Sequence, residues 1–285
     1  MNAWVKRLGW VVIDRLPDRH KRAVLYFHVF HGRPRLNDPR TFNQKVNWRI
    51  LNDRRPLIAI MGDKLAMKDY AAEHCPEVRI PRTYWAGTDV DELAEVRLPE
   101  RWVLKPNHSS KRIHFGTGPA DVAELRRVTD GWLEETLYAE RCEWAYSQAR
   151  RLLFVEERIG TGDGTPNDYK FHVFHGVPRL IQVDLDRFGE HPVRHYDGDW
   201  NPLPHAAEGC PLAPVGPPPV SFEKMRGMAL RLAGDLDFLR VDVYEVDGEV
   251  WFGELTAYPA AGLEGWEPND LDAELGRYWT LPAPS

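Results

Sequence analysis

The sequence predicts a mixed α/β (α+β) fold, and three observations carry that prediction. Two stretches of alternating apolar and polar residues break at His175-Gly176 and Asp247-Gly248, dipeptides suited to tight hairpin turns. Helical segments accompany them at Asn43–Leu51, Leu65–His74 and Phe222–Gly234. Short apolar runs, Arg101–Pro106 and Leu152–Glu156, read as buried strands that end at a proline or at acids.

Taken in order, residues from Met1 to about Arg97 read as helices and loops, with Asp63 placed to cap the helix that follows it. The polar stretch Asn107–Arg112 follows the first strand, and Asp121–Arg151 reads as one long helical region with a break near Gly131. Asp168–Phe174 and Val177–Asp184 form the first hairpin, and Pro202–Pro219 is a surface loop. The second hairpin joins Leu239–Val246 to Glu249–Leu255. It sets Val241, Val243 and Val250 on one face and Arg240, Asp242 and Tyr244 on the other, with Glu254 near its end. One near-repeat stands out. Phe27–Leu36 and Phe171–Leu180 differ only at Arg33 against Val177, but their flanks do not match, so it reads as coincidence or local duplication.

Composition narrows the function. The chain has 285 residues, 28% charged and 43% hydrophobic, enough apolar content to fold without disulfide staples. Its net charge of −6 argues against a nucleic-acid or anionic-membrane binder, which carries a basic excess. Cys75, Cys142 and Cys210 are scattered with no CxxC spacing, as expected in a reducing compartment. The apolar run Leu8–Ile13 is too short for a signal peptide or a membrane span, so a cytoplasmic location with no membrane insertion is expected.

The chemistry-bearing residues begin with Asp242 and Glu254, one on each arm of the second hairpin. Two such carboxylates suit Mg²⁺, which takes one or two of them together with water and phosphate oxygens. Arg240 shares a face with Asp242, where a cation stabilises an anionic intermediate. Lys64 at a helix start and Lys105 at a strand end are compact charges for phosphate oxygens. Val155-Glu156-Glu157 brings an apolar strand into two acids, and Asp168-Tyr169-Lys170 opens the first hairpin. Each feature taken alone is also what a solvated surface offers. The pairs His28/His31 and His172/His175 are poor metal ligands, because in the second copy the two histidines point to opposite faces of a strand. GxSxG, HExxH, GxGxxG and P-loop patterns are missing, which disfavours the chemistries they mark.

The order of these pieces is what distinguishes the chain. The stretch TFNQKVNW…DKLAMKDY…IPRTYWAGTDVDEL…LPERWVLKPNHSS…DYKFHVFHGVPRLIQVDLDR…RVDVYEVDGEVWFGELT, from about Asp38 to Gly262, resembles the TupA-like branch of the ATP-grasp superfamily. The resemblance implies two lobes with ATP between them: an N-terminal mostly helical segment over 1–98, a small lid lobe over 99–157 and a large lobe over 158–285. It implies that Lys64 and Lys105 contact nucleotide phosphates, that Glu156 and Glu157 sit at the adenine hinge, and that Asp163 or Asp168 meets the ribose. By the same likeness Lys170 approaches the terminal phosphate, Asp242 and Glu254 hold Mg²⁺, and Arg240 faces the intermediate.

The implied reaction is ATP-dependent joining of a small-molecule or peptide carboxylate to an amine through an acyl phosphate, in cell-surface polymer or peptide-like biosynthesis. The chain departs from the pattern twice. Thr256 stands where many members carry Asn, leaving a neutral hydroxyl as third metal ligand. The lid loop has Ser109, Ser110, Lys111 and Arg112 where relatives carry glycine, so hydroxyls and charges replace backbone N–H groups. A kinase acting on a hydroxyl and a non-catalytic nucleotide-binding module stay open as alternatives. So does a glycosyltransferase, for which Asp184-Leu185-Asp186 offers a nominal DxD.

Overall fold

In a computed structural model, residues 13, 15–134, 137–160 and 165–283 are described. The large lobe is built on a five-stranded antiparallel sheet. Its strands are β5 (Asp168–Phe174), β6 (Val177–Asp184), β7 (Val193–Tyr196), β9 (Phe238–Val246) and β10 (Glu249–Thr256), in the order β10-β9-β5-β6-β7, while the short β8 (Ala206–Ala207) pairs apart from them with Trp266–Glu267. Both hairpins turn where expected: His175-Gly176 and Asp247-Gly248 all have positive φ, the demand of a two-residue turn matching strand twist.

The two faces of this sheet differ. Phe171, Ile181, Val241 and Leu255 form one face, fully buried, and helix Phe222–Ala233 covers it. The other face carries Asp168, Lys170 and His172 on β5, paired in register with Tyr244, Asp242 and Arg240 on β9. Its far end is closed by helix Phe42–Asn52, whose Phe42 ring lies 5.9 Å from His172 and 5.1 Å from Phe238. Its near end borders the cleft at Glu254, with Asp242 buried beside it.

The small lobe is a four-stranded antiparallel sheet, β1 (Thr83–Gly87), β4 (Leu153–Glu157), β2 (Arg101–Pro106) and β3 (His114–Thr117), in that order. Trp85, Trp102, Leu104, Leu125, Trp132 and Val155 fill its separate core. Because β1 is an edge strand of this sheet, the lobe starts before the boundary at residue 98 that the sequence suggests. The N-terminal helices are likewise part of the large lobe. Arg49, fully buried on helix Phe42–Asn52, donates to Asp237 at 2.6 Å and to the Phe238 carbonyl at 2.8 Å, and stacks on Trp279.

The expected long helix over Asp121–Arg151 is not formed. Its place holds three short helices, Val122–Val128, Leu137–Arg141 and Trp144–Gln148, and the first ends before Gly131, whose φ is 76°. The cap at Asp63 is present: its carboxylate accepts from the Ala66 N–H at 2.9 Å at the head of helix Lys64–His74.

Candidate active site

The floor of the site is a polar row crossing the large sheet. Lys170 stands opposite Asp242 on one side and Gln182 on the other, and Gln182 stands opposite His195. Glu254 completes the row through an irregularity. Up to Phe252 the register of β10 would set position 254 against Val241, on the apolar face; the shift between Phe252 and Glu254 sets it against Asp242 instead. Gly253 permits this, since a Cβ there would lie 2.8 Å from the Asp242 carbonyl oxygen. A glycine bulge thus places the two carboxylates side by side.

Every charge on this floor has an opposite. Arg240 grips Asp242 with Nε at 2.7 Å and an Nη at 2.8 Å, and the same Nη donates to the Thr256 hydroxyl at 3.1 Å. Lys64 donates to Glu254 at 3.2 Å. Lys170 lies between Asp168, at 2.6 Å, and Asp184, and Arg187 adds a second contact to Asp168 at 2.9 Å. Burial opposes the ionisation of Glu254, but Lys64 and Arg240 outweigh it and bring the carboxyl down to about 2. Asp242, only 2% exposed, is pushed up to about 6 by its burial, with Arg240 opposing and Asp168 adding to the rise. Asp184 is also opposed by burial, yet Lys170 holds it well below the usual carboxylate range.

The opposing wall is set by the small lobe. Glu156, near the end of β4, receives Lys68 at 2.7 Å and Lys105 from the neighbouring β2. Burial would raise the Glu156 carboxyl, but the two ammonium groups overcome it and keep it ionised. Helix Lys64–His74 braces wall and floor together. Lys64 reaches the floor, and Lys68, one turn later, reaches the wall and the Thr83 hydroxyl at 2.9 Å. Asn107, fully buried, fastens this helix to the loop after β2: its side-chain carbonyl accepts from the Leu65 N–H at 2.9 Å.

Between wall and floor lies a cavity of about 430 Å³, lined by Lys64, Lys68, Lys105, Ser109, Ser110, Glu156, Glu157 and Glu254 among others. The lid loop turns without glycine, Lys111 itself taking a left-handed φ of 67°. Ser109 is buried with its hydroxyl unpaired, a group ready to meet a ligand oxygen.

Several expectations change with these positions. Lys170, Asp168 and Asp242 are buried in the floor and do not line the cavity. Glu156 spends its carboxylate on two lysines, and the Glu157 N–H is taken by the Arg82 carbonyl at 2.9 Å. Asp163 lies outside the described residues. Lys68 was missed; its only sequence signal is its spacing of four from Lys64 along one helix face.

Glu254 lines the cavity, whereas Asp242 is buried beside it with both oxygens held by Arg240; as adjacent carboxylates the two are still the donor pair that suits Mg²⁺. Among the described residues no group of three or more His, Cys, Asp or Glu could hold a metal, so such an ion would draw its remaining ligands from substrate and solvent. Thr256 is held by Arg240 rather than presented as a free ligand. No helix among the described residues is long and apolar enough to cross a membrane.

Comparison with curated protein sequences found no match. Among solved structures, the chain is similar to D-alanine–D-alanine ligase from Bacillus anthracis, with 17% identity and a TM-score of 0.44 over 70% of this chain and 57% of that one. It is similar to the Helicobacter pylori D-alanine–D-alanine ligase at 14% identity and TM-score 0.46, over 79% and 60%. The ATP-grasp ligase PsnB, complexed with a minimal precursor, matches at 14% identity and TM-score 0.40, over 71% and 54%. The chain therefore spans little more than half the length of these structures. The model of the TupA-like ATPgrasp family matches residues 44–280, most of the chain. With the two-lobed fold and its cleft in place, this match makes the chain a member of the TupA-like ATP-grasp family.

Proposed function

We propose that the protein is an ATP-dependent carboxylate–amine ligase, joining a small-molecule or peptide acid to an amine through an acyl phosphate. The cytoplasmic biosynthesis of a surface polymer or peptide-like product is the setting this chemistry suits. The observation that carries the reading is the polarity of the cleft. Lys68 and Lys105 outnumber Glu156 on the wall, while Asp242 and Glu254 stand together on the floor. An elongated polyanion fits such a gap, its phosphates between lysines and carboxylates that share a cation.

In this reading Lys105 and Lys68 bind phosphate oxygens, and the hydroxyls of Ser109 and Ser110 close over them from the lid loop. Asp242 and Glu254 would hold Mg²⁺, which when bound screens the charge between phosphate and the attacking carboxylate. Lys64 and Arg240 keep those two acids ionised and oriented until the site is loaded. Arg240, clasping Asp242, lends its positive field to the oxyanion that forms when the amine attacks. Lid and floor together exclude water, which would otherwise hydrolyse the acyl phosphate.

The test is a screen for ADP release with paired acids and amines, each product weighed by mass spectrometry. Joining of two reactants with loss of one water supports the ligase. Gain of a phosphoryl group, independent of amine, would replace this reading with a kinase.

A further inference from the structure

Beyond β10 the chain enters a loop that proteins seldom keep. Ala260, Ala261 and Gly262 run consecutively through left-handed space, with φ of 45°, 56° and 64°. For alanine this conformation is strained, so the surroundings must enforce it. They do. Buried Arg22 donates to the Ala261 carbonyl, and Asn47 donates to the Gly262 carbonyl at 2.8 Å. Asn43 accepts the Glu264 N–H at 3.0 Å and donates to the Glu264 carbonyl at 2.8 Å. Strain braced from three side chains marks a segment whose purpose is to place something. The residue so placed is Glu264.

Its Oε2 is buried and has no hydrogen-bond donor. The charges whose fields reach it are Arg240 of β9, Lys170 of β5, Asp184 of β6 and Asp272 of the final helix. Neither cation is available: Arg240 is committed to Asp242, and Lys170 to Asp168 and Asp184. Glu264 is therefore an acid left over beside the floor, and burial pushes its carboxyl up to about 7. Trp266 Nε1, two residues on, and both ring nitrogens of fully buried His172, which stands opposite Arg240, also lack partners. Buried polar atoms left unpaired are costly, so the region is built to receive a polar group. Surplus acid excludes an anion there; a carboxylate oxygen wanting a donor selects an amine.

We infer that Glu264 receives the amine substrate of the proposed ligation and takes its proton. This rests on the ligase reading and names the class of its second substrate. The amine arrives as an ammonium ion and transfers one proton to the Glu264 carboxylate. The freed nitrogen lone pair attacks the acyl-phosphate carbon, the C–O bond to phosphate breaks, and the second proton leaves with the phosphate. Amide, neutral Glu264 and hydrogen phosphate result, with charge conserved.

The experiment uses Glu264→Gln, with Glu264→Asp as the conservative control, in the full chain. Each common amino acid serves as acid with ATP and Mg²⁺, and the nucleophile is either hydroxylamine, uncharged at neutral pH and needing no base, or a second amino acid. Glu264→Gln is expected to keep hydroxamate formation within about twofold and to lose amide formation by about 10²–10⁴-fold, with Glu264→Asp restoring part of it. The rise of wild-type amide formation with pH, centred near 7, should flatten in Glu264→Gln. Full amide formation by Glu264→Gln, or equal loss of hydroxamate and amide, overturns the assignment. A wild type that forms neither product overturns the ligase reading instead. Glu264 is then decided by ¹³C-carboxyl NMR of glutamate-labelled protein: glycinamide should move the signal that Glu264→Gln removes and acetate should not, and no response to glycinamide sinks the inference.

Discussion

The wall and the floor of the cleft use the same kinds of side chain in different proportions. On the wall one carboxylate, Glu156, sits between two lysines, and a quarter of the Lys105 side chain remains open to the cavity. On the floor Arg240, Lys64, Lys170 and Arg187 are matched by Asp242, Glu254, Asp168 and Asp184, and Lys170 is only 4% exposed. Wall cations are thus spare charge facing a ligand, whereas floor cations hold the acids in place. A lysine in this cleft does its work according to how many carboxylates surround it, and that count is set by strand register.

Changes that attack this contrast should rank by how much buried charge they strand. The largest effect is expected for Asp242→Asn, which removes the partner of Arg240 and one of the paired acids. Turnover should fall by several kcal/mol of transition-state stabilisation, about 10³-fold, read from ADP release at saturating ATP. Lys170→Met should follow, with a different signature. It leaves Asp168 and Asp184 buried without their shared cation, so stability in urea should drop by about 3–5 kcal/mol, and Lys170→Arg should recover much of it. If Lys170→Met were as stable as the wild type, the floor lysine would not differ from a wall lysine.

Smaller effects sharpen the contrast. Gly253→Ala presses a methyl onto the Asp242 carbonyl, costs about 1–3 kcal/mol, and should impair turnover more than stability if the bulge serves Glu254. Lys105→Ala should weaken nucleotide binding about tenfold while leaving the melting temperature nearly unchanged, as fits a spare charge. Asp63→Asn loosens the helix that braces both surfaces, by about 1 kcal/mol at neutral pH. Arg150 and the Ala66 and Arg150 N–H groups outweigh burial and hold the Asp63 carboxyl at about 2. Its contribution is therefore present above the ordinary aspartate range and lost as pH falls from about 4 to about 2. The stability gap between wild type and Asp63→Asn should close over that window.

Much of the site was legible because local chemistry is written in short spans. The His-Gly and Asp-Gly turns, the alternation along Arg240–Tyr244 and the cap at Asp63 are each decided within a few residues, and all three stand in the structure. Lys68 was not legible, because only its meeting with Glu156, 88 positions away, separates it from a surface lysine. The bulge at Gly253 escaped for the same reason: a register shift belongs to a pair of strands, not to one. The sequence order sets Lys170 toward phosphate, because its burial between Asp168 and Asp184 depends on β6.

The near-repeat draws the line between the two kinds of information. In its first copy Phe27–Phe30 ends a helix, with Phe27 54% exposed; in its second, Phe171–Phe174 is a central strand with Phe171 fully buried. The sequence alone settled what both copies share: the histidine before the glycine, His31 and His175, turns left-handed in each. Tertiary structure decided the rest, since the first copy continues a helix begun at Asp18 while the second has β6 and β9 on either side. Ten residues cannot satisfy their own backbone hydrogen bonds as a strand, so whether they become one depends on which partners the fold brings alongside.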